Sequence, residues 1–572
     1  MSEPLSEALS EPLPVALRVP LRVPIPTTVT GELPDGLLEA FAGYEAALAT
    51  NDLAALDAWF APGEHTLRGD ASGLLVGHDA ISSFRGARSG TVARGIRALH
   101  VRVIDPGHAL IVSVNAPDAG GAGLVTQLWS RSGTGAWQVE VAQVAAPPAA
   151  INPTVWRLVG NPLVAAGSAT DSAAAVSADS ADAVADTASG SPLAGETIAV
   201  KDLYDITGFT VGAGNPTFLR EAAPATATAP AITALLAAGA SVRGIAQTDE
   251  FAYSIAGDNE HYGTPPNVRV PGGLPGGSSS GPAAAVALGQ ASIGLATDTA
   301  GSIRVPASYQ GLWGLRSTHG AVNRTGLLPL APSFDTVGWL SRGPAVLRAA
   351  AAASLDPAAQ VAVPARFVVS RALVFAATDE VQAAFIDGLD KLTRAGRMPA
   401  PDLVDVGDLT EALRIFRTVQ AAEAWRAHGA WISTHPGALG AAVADRFQAA
   451  ARIDAAAEAA ARSDLAAARA RLDSVLDGRI LLLPSASSTA PSRRGSPAEI
   501  DATRTATLSM TSLAGMGGYP ALSVPLFEIG GAPLGLCLVG PRHSDLALID
   551  IGAELVGTEL AYTELVNRTK HD

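Results

Sequence analysis

Hydrophobic positions along the chain fall into two regions of different rhythm. Between residues 35 and 60, Leu38, Phe41, Tyr44, Ala47 and Leu48 recur three or four apart, and Leu53, Leu56, Trp59 and Phe60 continue the series. Such spacing lines one face of a helix. Asn51-Asp52 interrupts the run, so the pattern predicts two helices, the second capped at that point. Strand-like apolar runs follow at 99–104, 109–115, 124–130 and 137–144. Asp105-Pro106-Gly107 and Ser132-Gly133-Thr134-Gly135 supply turns between them. Helices followed by an antiparallel meander predict a small α+β unit over 33–147.

From residue 191 onward, short apolar strands alternate with alanine-rich helical runs, which predicts a large α/β domain over 191–572. Residues 198–200, 480–483 and 521–524 read as buried strands. Residues 231–238 read as a helix ending at Gly239, and Pro282 sits where a helix over 282–288 would open. The stretch 446–476 is helical but lacks sustained heptads, so it is expected as a surface hairpin. Residues 164–190 are rich in Ala, Ser, Asp and Thr without an aromatic residue, and 148–190 is expected to be a linker. Within it, Asn152 to Arg157 has a more ordered character. Residues 1–32 carry proline-rich repeats and are expected to be a disordered tail.

Composition narrows the partners. A chain of 572 residues exceeds one core. Its net charge of −15 disfavours nucleic acid and anionic membrane as partners. No run of 18 apolar residues is present, so no transmembrane helix is expected, and the N-terminus lacks the basic start of a secretion signal. Cys537 is the single cysteine. No disulfide can form within the chain, which suits a cytoplasmic setting. Its apolar surroundings at 533–539 predict an inert buried thiol.

Three segments carry the chemistry. Lys201 ends an apolar run in Ile198-Ala199-Val200-Lys201-Asp202-Leu203. A glycine-serine loop follows at Gly276-Gly277-Ser278-Ser279-Ser280-Gly281. Ser302 lies 24 residues after Ser278, within Asp298-Thr299-Ala300-Gly301-Ser302-Ile303-Arg304. Amide hydrolysis needs a nucleophile, a base, an acid for the leaving nitrogen and donors for the oxyanion. Ser302 suits the nucleophile, and the backbone amides of Thr299, Ala300, Gly301 and Ser302 suit the oxyanion hole. Asp298 and Arg304 are expected to hold this turn as an ion pair, without proton transfer. The loop glycines Gly276 and Gly277 permit backbone geometry that other residues resist. Burial would lower the Lys201 pKa, and a neutral amine could draw a proton from Ser278 and, through it, from Ser302.

Other hydrolase designs fit less well. Gly277-Ser278-Ser279-Ser280-Gly281 matches a nucleophile elbow centred on Ser279, but residues 268–275 are rich in glycine and proline where that elbow needs a strand. The ten histidines show neither a triad context nor metal-ligand spacing. Neither a metal nor a cofactor is expected. The glycine-rich loops lack the Lys-Ser/Thr ending of a nucleotide-binding loop.

Residues 191–345 and 505–545 resemble the amidase signature family of serine hydrolases. The likeness rests on the three segments above and on Gln247-Thr248-Asp249-Glu250-Phe251-Ala252, Pro332-Ser333-Phe334-Asp335-Thr336-Val337-Gly338 and Tyr519-Pro520-Ala521-Leu522-Ser523-Val524-Pro525. The resemblance implies an α/β/α fold with a mixed, mostly parallel sheet. It also implies Lys201 as base, Ser278 as a bridging serine after a cis peptide, and Ser302 as the acylated nucleophile. The chain departs from the family pattern at Ala300 and Ser280, where glycine is usual, and the stretch ahead of Lys201 is short. A glutamine-amidotransferase subunit and a catalytically inactive ligand-binding homologue stay open as alternatives.

The small unit resembles the AtzH-like family, with a cone-shaped fold like that of nuclear transport factor 2. The matching segments are Phe41 to Leu48, Asn51-Asp52, His65 to Arg68, Gly77 to Ile81 and Phe84 to Arg88. Tyr44 and Arg68 match cavity residues of that family, the alternative being a core tyrosine and a surface arginine. Arg85 and Arg88 suit a carboxylate or a solvated helix face. The family accompanies amidases of s-triazine, ureide and oxalurate breakdown. That association implies a small amide or ureide substrate, anionic in character and used for nitrogen release. The likeness of the cone fold implies pairing into a homodimer, and the alternative for the small unit is a scaffold that only dimerises or covers the amidase.

Overall fold

The computed structural model describes residues 25–70, 73–86, 94–117, 123–145, 152–167 and 190–557, and divides the chain into two units, 1–150 and 151–572. In the first, helices Leu37–Thr50, Leu53–Trp59 and His78–Gly86 accompany seven strands: β1 (Thr27–Thr30), β2 (Leu67–Asp70), β3 (Gly73–Val76), β4 (Arg94–Asp105), β5 (His108–Pro117), β6 (Gly123–Arg131) and β7 (Trp137–Ala145). Their order is β1-β4-β5-β6-β7-β2-β3. The four predicted strands form the antiparallel meander β4 to β7. Asn51 turns left-handed with φ 53°. Asp52 then caps the second helix, its carboxylate accepting from the Ala55 amide at 3.1 Å. The core gathers Phe41, Tyr44, Leu56, Phe60, Ile111 and Trp129.

The expected tail ends earlier than residue 32. Thr27–Thr30 pairs in parallel with β4. All four side chains are exposed, so no apolar alternation marks the strand. Residues 1–24 lie outside the described residues.

Among the described residues the second unit carries eleven strands: β8 (Trp156–Val164), β9 (Thr197–Lys201), β10 (Ser241–Ala246), β11 (Ile293–Asp298), β12 (Trp313–Arg316), β13 (Thr336–Ser341), β14 (Phe367–Val369), β15 (Asp402–Leu403), β16 (Ile480–Pro484), β17 (Ala521–Ile529) and β18 (Ala532–Val539). The order is β15-β14-β16-β18-β17-β12-β13-β11-β9-β10-β8. Ile480 and Leu482 of β16 join one apolar cluster, with Val200, Trp339 and Leu548. Leu481 and Leu483 join another, with Phe416, Leu513 and Cys537. Strand side chains alternate between faces, so both faces of the sheet are covered and the layers are α/β/α.

The sheet is mixed, but antiparallel neighbours predominate over the expected parallel ones. β9 is parallel to β10 and β11, and β14 to β15 and β16. The remaining neighbours run antiparallel. One cause is local. Ile529 pairs with Ala532 across Gly530-Gly531, whose φ values of 56° and 84° make a tight hairpin between β17 and β18.

The expected linker also proves shorter. β8 lies within it and pairs antiparallel with β10 at the sheet edge. Val155 and Trp156 are buried beside Ala199, Ala246 and Ala284, and this burial fixes the strand. Residues 168–189 lie outside the described residues. The region 446–476 forms helices Ala441–Ala450 and Ala455–Leu476, the second capped by Asp454. Leu465, Leu472 and Leu476 are buried in the same core as Phe416, so the pair contributes to the core as well as the surface. The helix at Pro282 begins two residues earlier, as Ser280–Ala287.

Candidate active site

β9 runs between β10 and β11 and delivers Lys201 into the interior. Lys201 is fully buried, as are Ile198, Ala199 and Val200 before it. Its Nζ donates to Ser278 Oγ at 2.8 Å, Ser279 Oγ at 3.0 Å and Thr297 Oγ1 at 2.8 Å. Burial pushes the Lys201 pKa down to about 7, opposed by the negative charges of Asp249, Asp298 and Asp335. In its neutral form the amine keeps a lone pair, and one of these hydroxyls can donate to it.

The Gly277–Ser278 peptide is cis. The loop is held on both sides. The Gly276 and Gly277 amides donate to Ala256 and Ile255 carbonyls. The Ser278 carbonyl accepts from Thr248 Oγ1 at 2.9 Å and from the Asp249 amide at 3.2 Å. Gly276 has φ 75°, and a Cβ there would lie 2.8 Å from Pro306 Cα. Only glycine passes.

Ser302 is buried, and its carbonyl accepts from the Ser279 amide at 3.3 Å, tying the nucleophile turn to the serine loop. A hydrogen bond between the Ser278 and Ser302 hydroxyls is not among those formed by the described residues. The structure thus joins Lys201 to Ser278 directly and Ser302 to the loop through its backbone.

Asp298 organises the turn. It accepts from Arg304 Nε at 3.0 Å and Nη2 at 2.9 Å, and from Arg316 Nη1 at 3.2 Å, all three side chains being fully buried. Burial would raise its pKa, yet Arg304 and Arg316 hold it well below the usual carboxylate range. Asp298 also accepts from the Gly301 amide at 2.8 Å and the Ile303 amide at 3.1 Å.

This bond corrects one expectation. The Gly301 N–H is engaged by Asp298 and so is not free for an oxyanion. The Ala300 carbonyl, in the same peptide unit, accepts from Thr511 Oγ1. The Ala300–Gly301 peptide is therefore clamped at both ends. The Thr299, Ala300 and Ser302 amides have no hydrogen-bond partner among the described residues. Gly301 itself has φ 134° and a Thr511 Oγ1 that would lie 3.0 Å from any Cβ.

Residues 159–549 match the family model described as Amidase. The chain belongs to the amidase family. Its first unit, over 31–148, matches the AtzH-like model. Similar proteins include Amidase 1 of Oryza sativa subsp. japonica, 34% identical over 399 residues, or 64% of this chain and 91% of the relative. The 1-carboxybiuret hydrolase subunit AtzE of Pseudomonas sp. (strain ADP) is 47% identical over 150 residues, or 26% of this chain and 33% of the relative. A solved chain from "An unexpected vestigial protein complex reveals the evolutionary origins of an s-triazine catabolic enzyme" aligns with a TM-score of 0.59 and 28% identity, covering 64% of this chain and 85% of that one.

Around this amidase site lie residues that sequence reasoning did not single out. Thr297 is the third hydroxyl on Lys201, and it belongs to β11 just before the nucleophile turn. Asp335 accepts from Thr299 Oγ1 at 2.6 Å. Asp249, whose carboxylate packs on Gly277, is pushed up to about 7 by burial and by Asp258. Asp249 and Asp335 stand in segments that carried the family likeness. Arg316 and Thr511 stood out by no local signal. Cys537 is buried and its thiol is pushed up to about 11 by burial, so it is inert.

In the AtzH-like unit, Tyr44 is a core residue whose hydroxyl accepts from Arg85 Nη2 at 3.2 Å. Arg85 also lies 4.7 Å from the Phe60 ring centre, so it is no solvated helix residue. Arg68 is buried, with its guanidinium 4.5 Å from the Phe84 ring centre, which removes the surface reading. Arg88 lies outside the described residues. Ser113 Oγ, Asn115 Oδ1 and Gln127 Nε2 are buried in the same unit without a partner among the described residues.

Proposed function

We propose that this amidase hydrolyses the C–N bond of a small amide or ureide through an acyl-enzyme on Ser302. The observation that carries the reading is the Lys201 amine, buried, shifted towards neutrality and 2.8 Å from Ser278. Neutral Lys201 takes the Ser278 proton while Ser278 takes that of Ser302. Ser302 Oγ then bonds to the carbonyl carbon, and the oxyanion is met by the free amides of Ala300 and Ser302. As the C–N bond breaks, the proton held by Lys201 returns through Ser278 to the leaving nitrogen. Water enters by the same relay, releases the acid and restores Ser302.

The substrate class is read as anionic. Support comes from the partial likeness to a 1-carboxybiuret hydrolase subunit and from the AtzH-like unit, where Arg68 is buried and Arg85 packs on Phe60. On this reading the chain serves nitrogen release in the cytoplasm as a homodimer, and the first unit handles a chemically related substrate or product. The test is covalent labelling by a fluorophosphonate together with ammonia release from small amides, ureides and carboxylated ureas. Both signals should vanish in Ser302→Ala. Labelling that persists in Ser302→Ala, or the absence of ammonia from every compound, would sink the proposal. A 151–572 chain with unchanged turnover on every ureide would refute the linked role of the first unit.

A further inference from the structure

Three arginines converge beside the amidase site in a chain whose net charge is −15. Arg504 lies on helix Pro497–Gly517, which also carries Thr511. Seven residues separate them, about two turns and roughly 10 Å along the same face. Thr511 Oγ1 donates to the Ala300 carbonyl at the nucleophile turn. Arg446 Nη1 donates to the Tyr253 carbonyl at 2.8 Å. Tyr253 stands two residues, at most about 7 Å of chain, before Ile255, whose carbonyl accepts from the Gly277 amide of the serine loop. Arg417 Nη2 donates to Thr505 Oγ1 at 3.0 Å, next to Arg504. Arg446 is therefore tied to the segment that holds the serine loop, and Arg504 shares a helix face with the residue that clamps the nucleophile turn.

The protein balances the positive charge there only in part, through Asp501. Arg417 and Arg446 form no ion pair among the described residues. Arg504 meets Asp501 at 3.7 Å, but that carboxylate is mostly exposed. Arg504 Nε is buried without a partner. Burial, with the charges of Arg446 and Arg417, pushes the Arg504 pKa down to about 9. Guanidinium groups whose charges act on one another favour an anion between them, and a carboxylate matches their planar donor geometry.

We propose that Arg417, Arg446 and Arg504 form the subsite that binds a carboxylate at the far end of the amide substrate. The assignment rests on the amide hydrolysis proposed above and supplies its specificity. The site should prefer mono-amides of dicarboxylic acids over neutral amides of equal length.

The test compares malonamate, succinamate and glutaramate with propionamide, butyramide and valeramide. The parent chain should show higher kcat/KM on the carboxylated series. Arg504→Gln and, separately, Arg417→Gln should reduce that preference, on the order of 100-fold and mainly through KM. A parent chain without the preference, or a preference that survives in both variants, overturns the subsite. Should neither these amides nor any ureide be turned over, the catalytic reading fails by itself. The subsite is then read from protection of Ser302 against fluorophosphonate by succinate. Protection lost in Arg504→Gln upholds it, and absence of protection in the parent chain overturns it.

Discussion

Lys201 Nζ lies 2.8 Å from Ser278 Oγ, and both side chains are completely removed from solvent. Burial favours the uncharged amine, bringing the Lys201 pKa down to about 7. Only that form accepts a proton, so kcat/KM should rise with pH through an acid limb near 7. Lys201→Ala should lose activity by several orders of magnitude and recover part of it at high pH. A pH–rate profile of both chains checks this. Near-full activity of Lys201→Ala at neutral pH would end the relay mechanism.

Asp249 acts on the same amine from behind the loop. Its negative charge raises the Lys201 pKa against the effect of burial. Asp249→Asn keeps an oxygen for the Gly257 amide, now bonded at 2.9 Å, and removes the charge. The acid limb should therefore move to lower pH. A limb that stays in place, or moves upward, contradicts the coupling.

Gly277 leaves no room for a side chain. A Cβ there would come within 2.6 Å of Asp249 Oδ1 and Cγ. Gly277→Ala must displace the Asp249 carboxylate or the serine loop, and misplacing catalytic groups by about 1 Å costs on the order of 100-fold. The expected outcome is a folded protein with kcat lowered by about that factor. Circular dichroism establishes the fold and single-turnover kinetics the loss.

Among the described residues, Asp298 is the only carboxylate whose oxygens meet both Arg304 and Arg316. Asp298→Asn leaves two buried guanidinium groups facing each other, which should destabilise the protein by about 3–5 kcal/mol. Denaturant unfolding measures the difference. Because the arginines hold the folded pKa below the unfolded one, the charge contributes fully above the ordinary carboxylate pKa. Its contribution fades as pH falls towards the folded value. The gap between parent and Asn chains should therefore narrow on acidification.

The sequence alone determined the two units, the meander, the Asn51-Asp52 break and the membership of the catalytic segments. These depend on near neighbours: apolar spacing sets the elements, and Asp52 caps a helix three residues away. The Asp298–Arg304 pair was equally legible, since both belong to one turn. What the tertiary structure decided depends on contacts between distant segments. Thr511 lies 211 residues from the Ala300 carbonyl it clamps. Arg316 reaches Asp298 across the sheet. The engagement of the Gly301 amide follows from how Asp298 turns inside that frame. β1 and β8 stayed hidden for a related reason. An exposed strand and an edge strand are fixed by pairing with β4 and β10, and main-chain hydrogen bonds leave little trace in side-chain pattern. The convergence of Arg417, Arg446 and Arg504 likewise joins segments far apart in the chain, which no local spacing records.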